Sequence, residues 1–164
     1  MKLKEIFKRL VPVFIGTVSV AAVSEVIRFF AVTFLKPAGN APVLNGIFQL
    51  NYHINTGASF GMFSEHTAAL SVFTALLIAF LYILSAIGFF ETKAQRIIVG
   101  LIAGGGMANL IERILYGYVV DYFEFLFIDF AIFNFADCFV TVGSVALMVW
   151  IFLIDKTIFK DEKK

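Results

Sequence analysis

The chain has 164 residues, of which 60% are hydrophobic and 15% are charged, with a mean hydropathy of +0.92. A soluble domain has roughly 45–50% apolar and about 25% charged residues, so this composition excludes an ordinary soluble protein and indicates a membrane protein. The net charge of +1 points to no nucleic-acid partner. The single cysteine excludes an internal disulfide and a multi-cysteine metal site, and the two histidines have no recognisable metal-ligand spacing.

Four stretches are long and apolar enough to cross a bilayer, which takes about 20 residues of helix. The clearest lies between Glu65 and Glu91, where no residue is charged, and it predicts a helix over about 67–89. The other predicted spans cover about 10–34, 97–116 and 138–154. Residues 1–164 are therefore predicted to form a single integral membrane domain, an all-α membrane protein with four transmembrane helices.

The first span follows a basic tail, and small residues occur near Ser24, as in a cleaved signal peptide. The apolar run continues through "VIRFFAVTF", however, which favours an uncleaved membrane helix. Glu25 and Arg28 lie three residues apart in this span, so they share one helical face and could neutralise each other.

The basic residues predict the orientation. Four lie in the first tail, two in the loop between the second and third spans and four in the last tail, which makes ten of the 13. The positive-inside rule then predicts that both termini are cytoplasmic and that the segments 35–66 and 117–137 face outward.

The segment of about 40–66, between the first and second spans, alternates in polarity and is rich in turn formers. Asn45-Gly46 is a dipeptide typical of hairpin turns, and "IFQLNYHI" has good strand propensity. We therefore predict a small β-rich periplasmic or extracellular element at the outer membrane surface.

Polar residues gather near the outer ends of the third and fourth spans. Asn109 and Arg113 share a helical face, and the glycines at 104–106 before them allow close helix packing. Asn134 and Asp137 lie at the start of the fourth span. Ionisable groups at membrane depth cost about 2.5–3.5 kcal/mol each on insertion scales, so they indicate a functional site.

Structural interpretations compete with the functional one. Glu112 and Arg113 could anchor the third span at the membrane interface. Asp137 could cap a helix N-terminus, where Asp is favoured. Cys138 is more typical of apolar packing than of a nucleophile, because no histidine lies nearby in the sequence to activate it.

The segment 119–139, "VVDYFEFLFIDFAIFNFADCF", is rich in phenylalanine yet holds four acids. Its central part, "FEFLFIDFAIFNF", is predicted to lie along the membrane surface with its phenylalanines against lipid, while Glu124 and Asp129 face water. Asp121 and Asp137 are 16 residues apart on an excursion that can fold back. If their carboxyls meet, the pair supplies one acid and one base, as in aspartic proteases, with a water and no metal.

Four ordered motifs resemble those of bacterial lipoprotein signal peptidase, also called signal peptidase II, over nearly the whole chain. They are "NTGASFG" (55–61), "GGGMANLIER" (104–113), "GYVVDYFEF" (117–125) and "FNFADCFVTVG" (133–143). The resemblance implies a multi-pass aspartic endopeptidase of the bacterial cell membrane, with its active site at the outer leaflet. It implies cleavage of diacylglyceryl-modified prolipoproteins before the lipidated cysteine, by a monomer in contact with membrane lipid, with no cofactor, metal or nucleic acid.

The resemblance also implies a catalytic pair and five residues that orient the pair or bind the substrate. The pair is Asp121 and Asp137. The residues that orient its carboxyls are Asn109 and Asn134, and those that bind the substrate backbone are Asn55, Gly57 and Arg113.

Five positions depart from the family pattern: Ser24 and Glu112 stand where Asp is usual, and Arg28 where Lys is usual. Ala108 stands where Gly is usual, and Ser59 where Ala is usual. These departures leave open a non-catalytic relative that binds lipoprotein signal peptides. A second alternative is a small four-helix transporter or proton-relay subunit with Asp121 and Asp137 as relay carboxylates. Transporters often show inverted repeats and midplane acids, whereas this chain shows no repeat and places its acids at one edge.

Overall fold

The computed structural model describes residues 2–57 and 66–154. Four helices in this part of the chain are long and apolar enough to cross a membrane, which confirms the predicted number. They are α1 (Leu3–Ala38), α2 (Thr67–Ile87), α3 (Lys93–Tyr116) and α4 (Phe135–Leu153). The turns at Ala31–Leu35 and Trp150–Ile154 are π-helical. Residues 58–65 of the predicted β-rich segment and the last basic tail lie outside the described residues.

Local capping sets three of the helix ends. Thr92 and Gln95 form a reciprocal capping box, which starts α3 four residues before the predicted position. Asn134 caps α4 in the same way, with Asp137 as its reciprocal partner. Helix α2 ends at Ile87 because Gly88 adopts a left-handed conformation with φ +93°.

Two connections between the helices together form a three-stranded antiparallel sheet. Its strands are β1 (Asn40–Leu44), β2 (Phe48–Asn55) and β3 (Val119–Phe125), in the order β1-β2-β3. The turn at Asn45-Gly46 joins β1 to β2, with Gly46 at φ +71°, which confirms the predicted hairpin.

The third strand corrects the sequence analysis. Residues 119–125 form a strand that pairs with β2, so strand structure is not confined to the predicted β-rich segment of about 40–66. The sequence "VVDYFEF" is made largely of β-branched and aromatic residues, which favour strands. The strand was not predicted because the same residues are also apolar enough to lie against a membrane.

After β3 the chain folds back onto the strand. Phe123 and Phe133 form an antiparallel bridge, with N···O distances of 2.8 Å and 3.1 Å in the two directions. The bridge brings the start of α4 beside the middle of β3, which places Asn134 near Asp121.

Helix α3 contacts the other three helices. Small buried residues, Ala21, Ala108 and Ala136, pack together where α1, α3 and α4 meet. Ala108 precedes Asn109 and Ala136 precedes Asp137 in the sequence, so this close packing of three helices forms the base of a polar cluster.

Candidate active site

Asp121 lies in the middle of β3 with only 1% of its surface exposed. Its two carboxylate oxygens accept hydrogen bonds from Asn55 Nδ2 at 2.8 Å and from Asn134 Nδ2 at 2.9 Å. The donors come from the end of β2 and from the cap of α4. The sheet and the fourth helix therefore fix this carboxyl group together.

Asp137 lies in the first turn of α4, on the same polar cluster. Its carboxylate accepts hydrogen bonds from the backbone N–H of Asn134 at 3.1 Å and from Asn109 Nδ2 at 2.7 Å. Asn134 Nδ2 also donates to Asn109 Oδ1 at 3.0 Å. The two asparagines thus connect the carboxyls of Asp121 and Asp137 through one hydrogen-bond network.

Asn55, Gly57 and Arg113 form a second group beside the pair. The Gly57 N–H donates to Asn55 Oδ1 at 2.9 Å, and Arg113 Nη2 donates to the Gly57 carbonyl at 3.0 Å. Among residues 2–57 and 66–154, Arg113 Nε has no hydrogen-bond partner although it is buried. All seven residues implied by the resemblance therefore lie together, and Asn55 contacts Asp121 directly.

Burial and the nearby charge of Asp137 raise the pKa of Asp121 to about 7, from an ordinary value of 3.8. The hydrogen bonds from Asn55 and Asn134 and the charge of Arg113 act in the opposite direction but do not cancel the effect. Asp121 therefore retains a proton over much of the range in which an ordinary aspartate is ionised.

A cavity of 470 Å³ opens against this network. Its polar wall consists of Asn55, Asn109, Arg113, Asp121 and Asp137. Its apolar wall includes Phe125, Phe130, Phe133, Val140 and Val142. The cavity can therefore hold an apolar group beside a pair of carboxyls.

The phenylalanines of this wall form one aromatic group. Phe125 and Phe133 contact each other with ring centroids 5.6 Å apart, and both contact Phe130. The sequence predicted them beside the site and against lipid. The strand at 119–125 and the return of the chain place them on the cavity wall, and Phe130 stays 47% exposed.

The other two acids of the segment lie away from the cavity. Glu124 was predicted to face water, but it is half-buried on the sheet and accepts hydrogen bonds from Gln49 Nε2 at 2.6 Å and Asn51 Nδ2 at 2.8 Å. That prediction is wrong because a strand places Glu124 next to the polar residues of β2. Asp129 is exposed, as predicted.

The predicted pair on α1 forms at a distance from this cavity. Arg28 Nε lies 2.8 Å from Glu25 Oε2, and Arg28 Nη2 donates to the Tyr116 hydroxyl at 3.0 Å.

Cys138 lines the cavity and its thiol donates to the Asn134 carbonyl at 3.4 Å. The thiol therefore packs within the helix, and among the described contacts no basic side chain lies beside it to activate it as a nucleophile.

Comparison with known proteins gives consistent matches. The family model described as signal peptidase (SPase) II matches residues 17–153. A lipoprotein signal peptidase of Caldanaerobacter subterraneus is 38% identical over 73% of this chain and 81% of its own length. A lipoprotein signal peptidase of Halothermothrix orenii is 31% identical over 88% of this chain and 97% of its own length.

Solved structures agree with these matches. A bacterial membrane enzyme determined by the in meso method at 2.3 Å resolution superposes with a TM-score of 0.79, at 27% identity over 93% of each chain. A second, determined at 1.9 Å resolution, has a TM-score of 0.76 at 26% identity, over 87% of this chain and 93% of its own.

Proposed function

The chain belongs to the signal peptidase II family, and from this premise we propose that it is an aspartic endopeptidase that removes signal peptides from prolipoproteins. Its substrates carry diacylglycerol on a cysteine, and cleavage occurs just before that cysteine. Asp121 and Asp137 are the catalytic pair. The chain acts as a single membrane domain and as a monomer, without a cofactor.

One observation carries this proposal. Asn109 and Asn134 connect the carboxyls of Asp121 and Asp137 on one wall of a cavity. A proton-relay subunit needs two carboxyls in series but no enclosed space for a polypeptide. The cavity beside the pair therefore supports hydrolysis over transport.

The two carboxyls divide the work of peptide hydrolysis. The pair titrates as a unit, and the raised pKa of Asp121 lets the pair keep one proton near neutral pH. The ionised member takes a proton from the attacking water, and the protonated member donates one to the scissile carbonyl oxygen. Asn109 and Asn134 hold the carboxyls in place for both transfers.

The remaining walls of the cavity supply substrate binding. Arg113 donates to the Gly57 carbonyl through Nη2 and lines the cavity, where its guanidinium can bind a substrate carbonyl. Phe125, Phe130 and Phe133 offer an apolar surface for the lipid-bearing cysteine. A substrate without diacylglycerol lacks this contact, so we expect weak binding and a high KM for it.

The test of the proposal uses purified protein and a diacylated prolipoprotein. We expect Asp121→Asn and Asp137→Asn to lower kcat by about 10²–10⁴-fold, because an amide cannot exchange the proton that acid–base catalysis requires. Asp129→Asn is the matched control, since Asp129 is an exposed acid between the two, and it should cleave normally.

Three results would contradict the proposal in whole or in part. Normal turnover by Asp121→Asn would remove the pair from the mechanism. Binding of the prolipoprotein without cleavage by the unaltered protein would identify a non-catalytic relative. An unlipidated prolipoprotein cleaved as fast as the diacylated one would refute the substrate class alone.

We also propose that the pair lies at the outer leaflet of the bacterial cell membrane, with both termini cytoplasmic. Tyr118→Cys and Leu126→Cys, each in a Cys138→Ala background, should react with an impermeant thiol reagent added to intact cells. Leu126 is 42% exposed, so its replacement is the more sensitive probe. Labelling that requires cell lysis would reverse the orientation.

A further inference from the structure

Glu112 is a buried acid to which the proposed chemistry gives no role. It lies in the last turns of α3 with 4% of its surface exposed, and it is absent from the cavity wall. Its Oε2 accepts a hydrogen bond from the backbone N–H of Val120 at 2.8 Å. A helix side chain thus holds the strand by its backbone, one residue before Asp121.

The short connection between α3 and β3 makes this contact important for the position of Asp121. Only Gly117 and Tyr118 separate the two elements, and Gly117 turns the chain with φ +80°. Val119 and Val120, at the start of β3, are 2% and 1% exposed. The strand therefore enters the protein interior within three residues of the helix, and Glu112 fixes where it enters.

The side chain of Asp121 and its backbone are held by different groups. Asn55 and Asn134 bind the carboxylate, as described above. They can orient the carboxyl group, but they do not set the position of the Asp121 backbone. The pairing of β3 with β2 sets that position, and Glu112 adds a second constraint through the Val120 peptide group just before Asp121.

We propose that Glu112 is a positioning residue for the Asp121 carboxyl, and that it acts through its hydrogen bond to the Val120 N–H. The inference rests on the proposed function, because it assumes that Asp121 takes part in the reaction. In this proposal Glu112 keeps Asp121 aligned with Asp137, and it neither binds the substrate nor transfers a proton.

Three substitutions separate the hydrogen bond from the charge. Glu112→Gln keeps an oxygen that can accept from Val120 and removes the acid, so we expect kcat within about threefold of the unaltered enzyme. Glu112→Ala leaves the Val120 N–H unpaired, and we expect kcat to fall about 10–100-fold, since a displacement of about 1 Å has effects of that size. Glu112→Asp is one methylene shorter and should be intermediate. KM should change little in all three.

The pH–rate profile distinguishes positioning from a loss of folded protein. The charged groups that act on Asp121 are Asp137, Arg113 and Glu112 itself, and burial is the main cause of the raised pKa of Asp121. If β3 shifts in Glu112→Ala, Asp121 becomes better hydrated, and the limb of the profile near pH 7 moves to lower pH than in Glu112→Gln, which loses the same charge but keeps the hydrogen bond. A smaller amount of folded enzyme lowers the whole profile and leaves its midpoint unchanged.

Glu124→Gln is the matched control. Glu124 lies on the same strand and accepts two hydrogen bonds, but from side chains and away from the cavity. We expect it to keep both kcat and the pH midpoint.

Equal losses in Glu112→Gln and Glu112→Ala would overturn the proposal in favour of a role for the charge, and a change confined to KM would overturn it in favour of substrate contact. Full activity of Glu112→Ala would overturn it while leaving the proposed function intact. The proposed function fails separately, if the unaltered enzyme does not cleave or if Asp121→Asn cleaves normally.

Discussion

The two halves of α3 are held by different kinds of contact. In the first half, its backbone lies directly against α1: a Cβ on Gly100 would lie 2.6 Å from the Val13 carbonyl oxygen. In the second half, polar side chains reach three different elements. Asn109 binds Asp137 on α4, Glu112 binds β3 and Arg113 binds the Gly57 carbonyl beyond β2.

This difference separates stability from activity along one helix. Backbone packing requires only small residues and matching shape, so it is indifferent to proton transfer. The polar contacts of the second half determine where two carboxyls and a guanidinium lie. Changes in the first half should therefore reduce the folded fraction, whereas changes in the second half should alter turnover by the enzyme that remains folded.

The largest expected effect concerns Asp121 itself. Its pKa of about 7 in the folded protein exceeds the ordinary 3.8, so the folded state binds a proton that the unfolded state has released between these pH values. The contribution of Asp121 to the free energy of unfolding should then decrease as pH rises from about 4 to about 7, by at most about 4 kcal/mol. Asp121→Asn should make the measured slope shallower in this range.

Thermal unfolding in detergent at several pH values measures the effect. The new amide places its NH₂ group against one of the two donors, Asn55 or Asn134, while its oxygen still accepts from the other. This costs a constant amount at every pH, so only the slope is diagnostic. Asp129→Asn should keep the slope of the unaltered protein. Parallel curves for Asp121→Asn and the unaltered protein would show that Asp121 is ionised at low pH and would contradict the raised pKa.

Gly105 tests the boundary between the two halves. A Cβ at this position would collide with the Ala136 carbonyl and lie 2.8 Å from Val140 Cγ2, so Gly105→Ala pushes α4 away from α3. Because Asp137 follows Ala136, we expect a loss of stability of about 1–3 kcal/mol together with a roughly 100-fold lower kcat.

Gly106→Ala is the matched control for that substitution. A Cβ there would meet Ile78 Cδ1 at 3.5 Å, an ordinary contact, so activity and melting temperature should both be kept. If Gly105→Ala lowers stability but leaves kcat unchanged, the α3–α4 contact does not set the position of Asp137.

Gly100→Ala makes the same change within the first half. The collision with the Val13 backbone should again cost about 1–3 kcal/mol. Here we expect kcat per folded molecule to stay within about twofold, because the contact lies nine residues before Asn109 along the helix. Circular dichroism melting and activity normalised to folded protein give the two quantities. A large fall in normalised kcat would erase the distinction between the halves.

The sequence predicts the first half of this comparison better than the second. Hydropathy is sufficient for four helices, since each needs only length and apolarity. The exact ends depend on caps such as Thr92–Gln95, which are local signals that hydropathy ignores. The hairpin at Asn45-Gly46 is equally local, and it was predicted.

The position of Asp121 could not be predicted from composition or spacing. It depends on β3, on the Phe123–Phe133 bridge and on the contact of Glu112 with Val120, and each of these joins residues from two different segments of the sequence. The motif "GYVVDYFEF" identified the residue by resemblance but not the strand that holds it. The role of Glu124 was mistaken for the same reason, because alternation along a strand matters only once the strand is recognised.

The smallest expected effect concerns the Glu25–Arg28 pair on α1. Its side chains are 27% and 17% exposed and interact at 2.8 Å, and Arg28 also lies over the Tyr116 ring at 4.5 Å. Partly exposed pairs contribute about 0.2–1 kcal/mol, so Glu25→Gln should lower stability by less than about 1 kcal/mol. Arg28 keeps its hydrogen bond to Tyr116, which limits the loss further.

This pair refines the comparison because it is polar and near the second half of α3, yet none of its atoms reaches the cavity. We expect kcat of Glu25→Gln within about twofold of the unaltered enzyme, as for substitutions away from buried networks. Measuring kcat at low and high salt separates the charge of the pair from its packing. A fall in kcat as large as that of Glu112→Ala would mean that α1 also positions the catalytic pair. Polar residues near the second half of α3 would then affect turnover whether or not they reach the cavity.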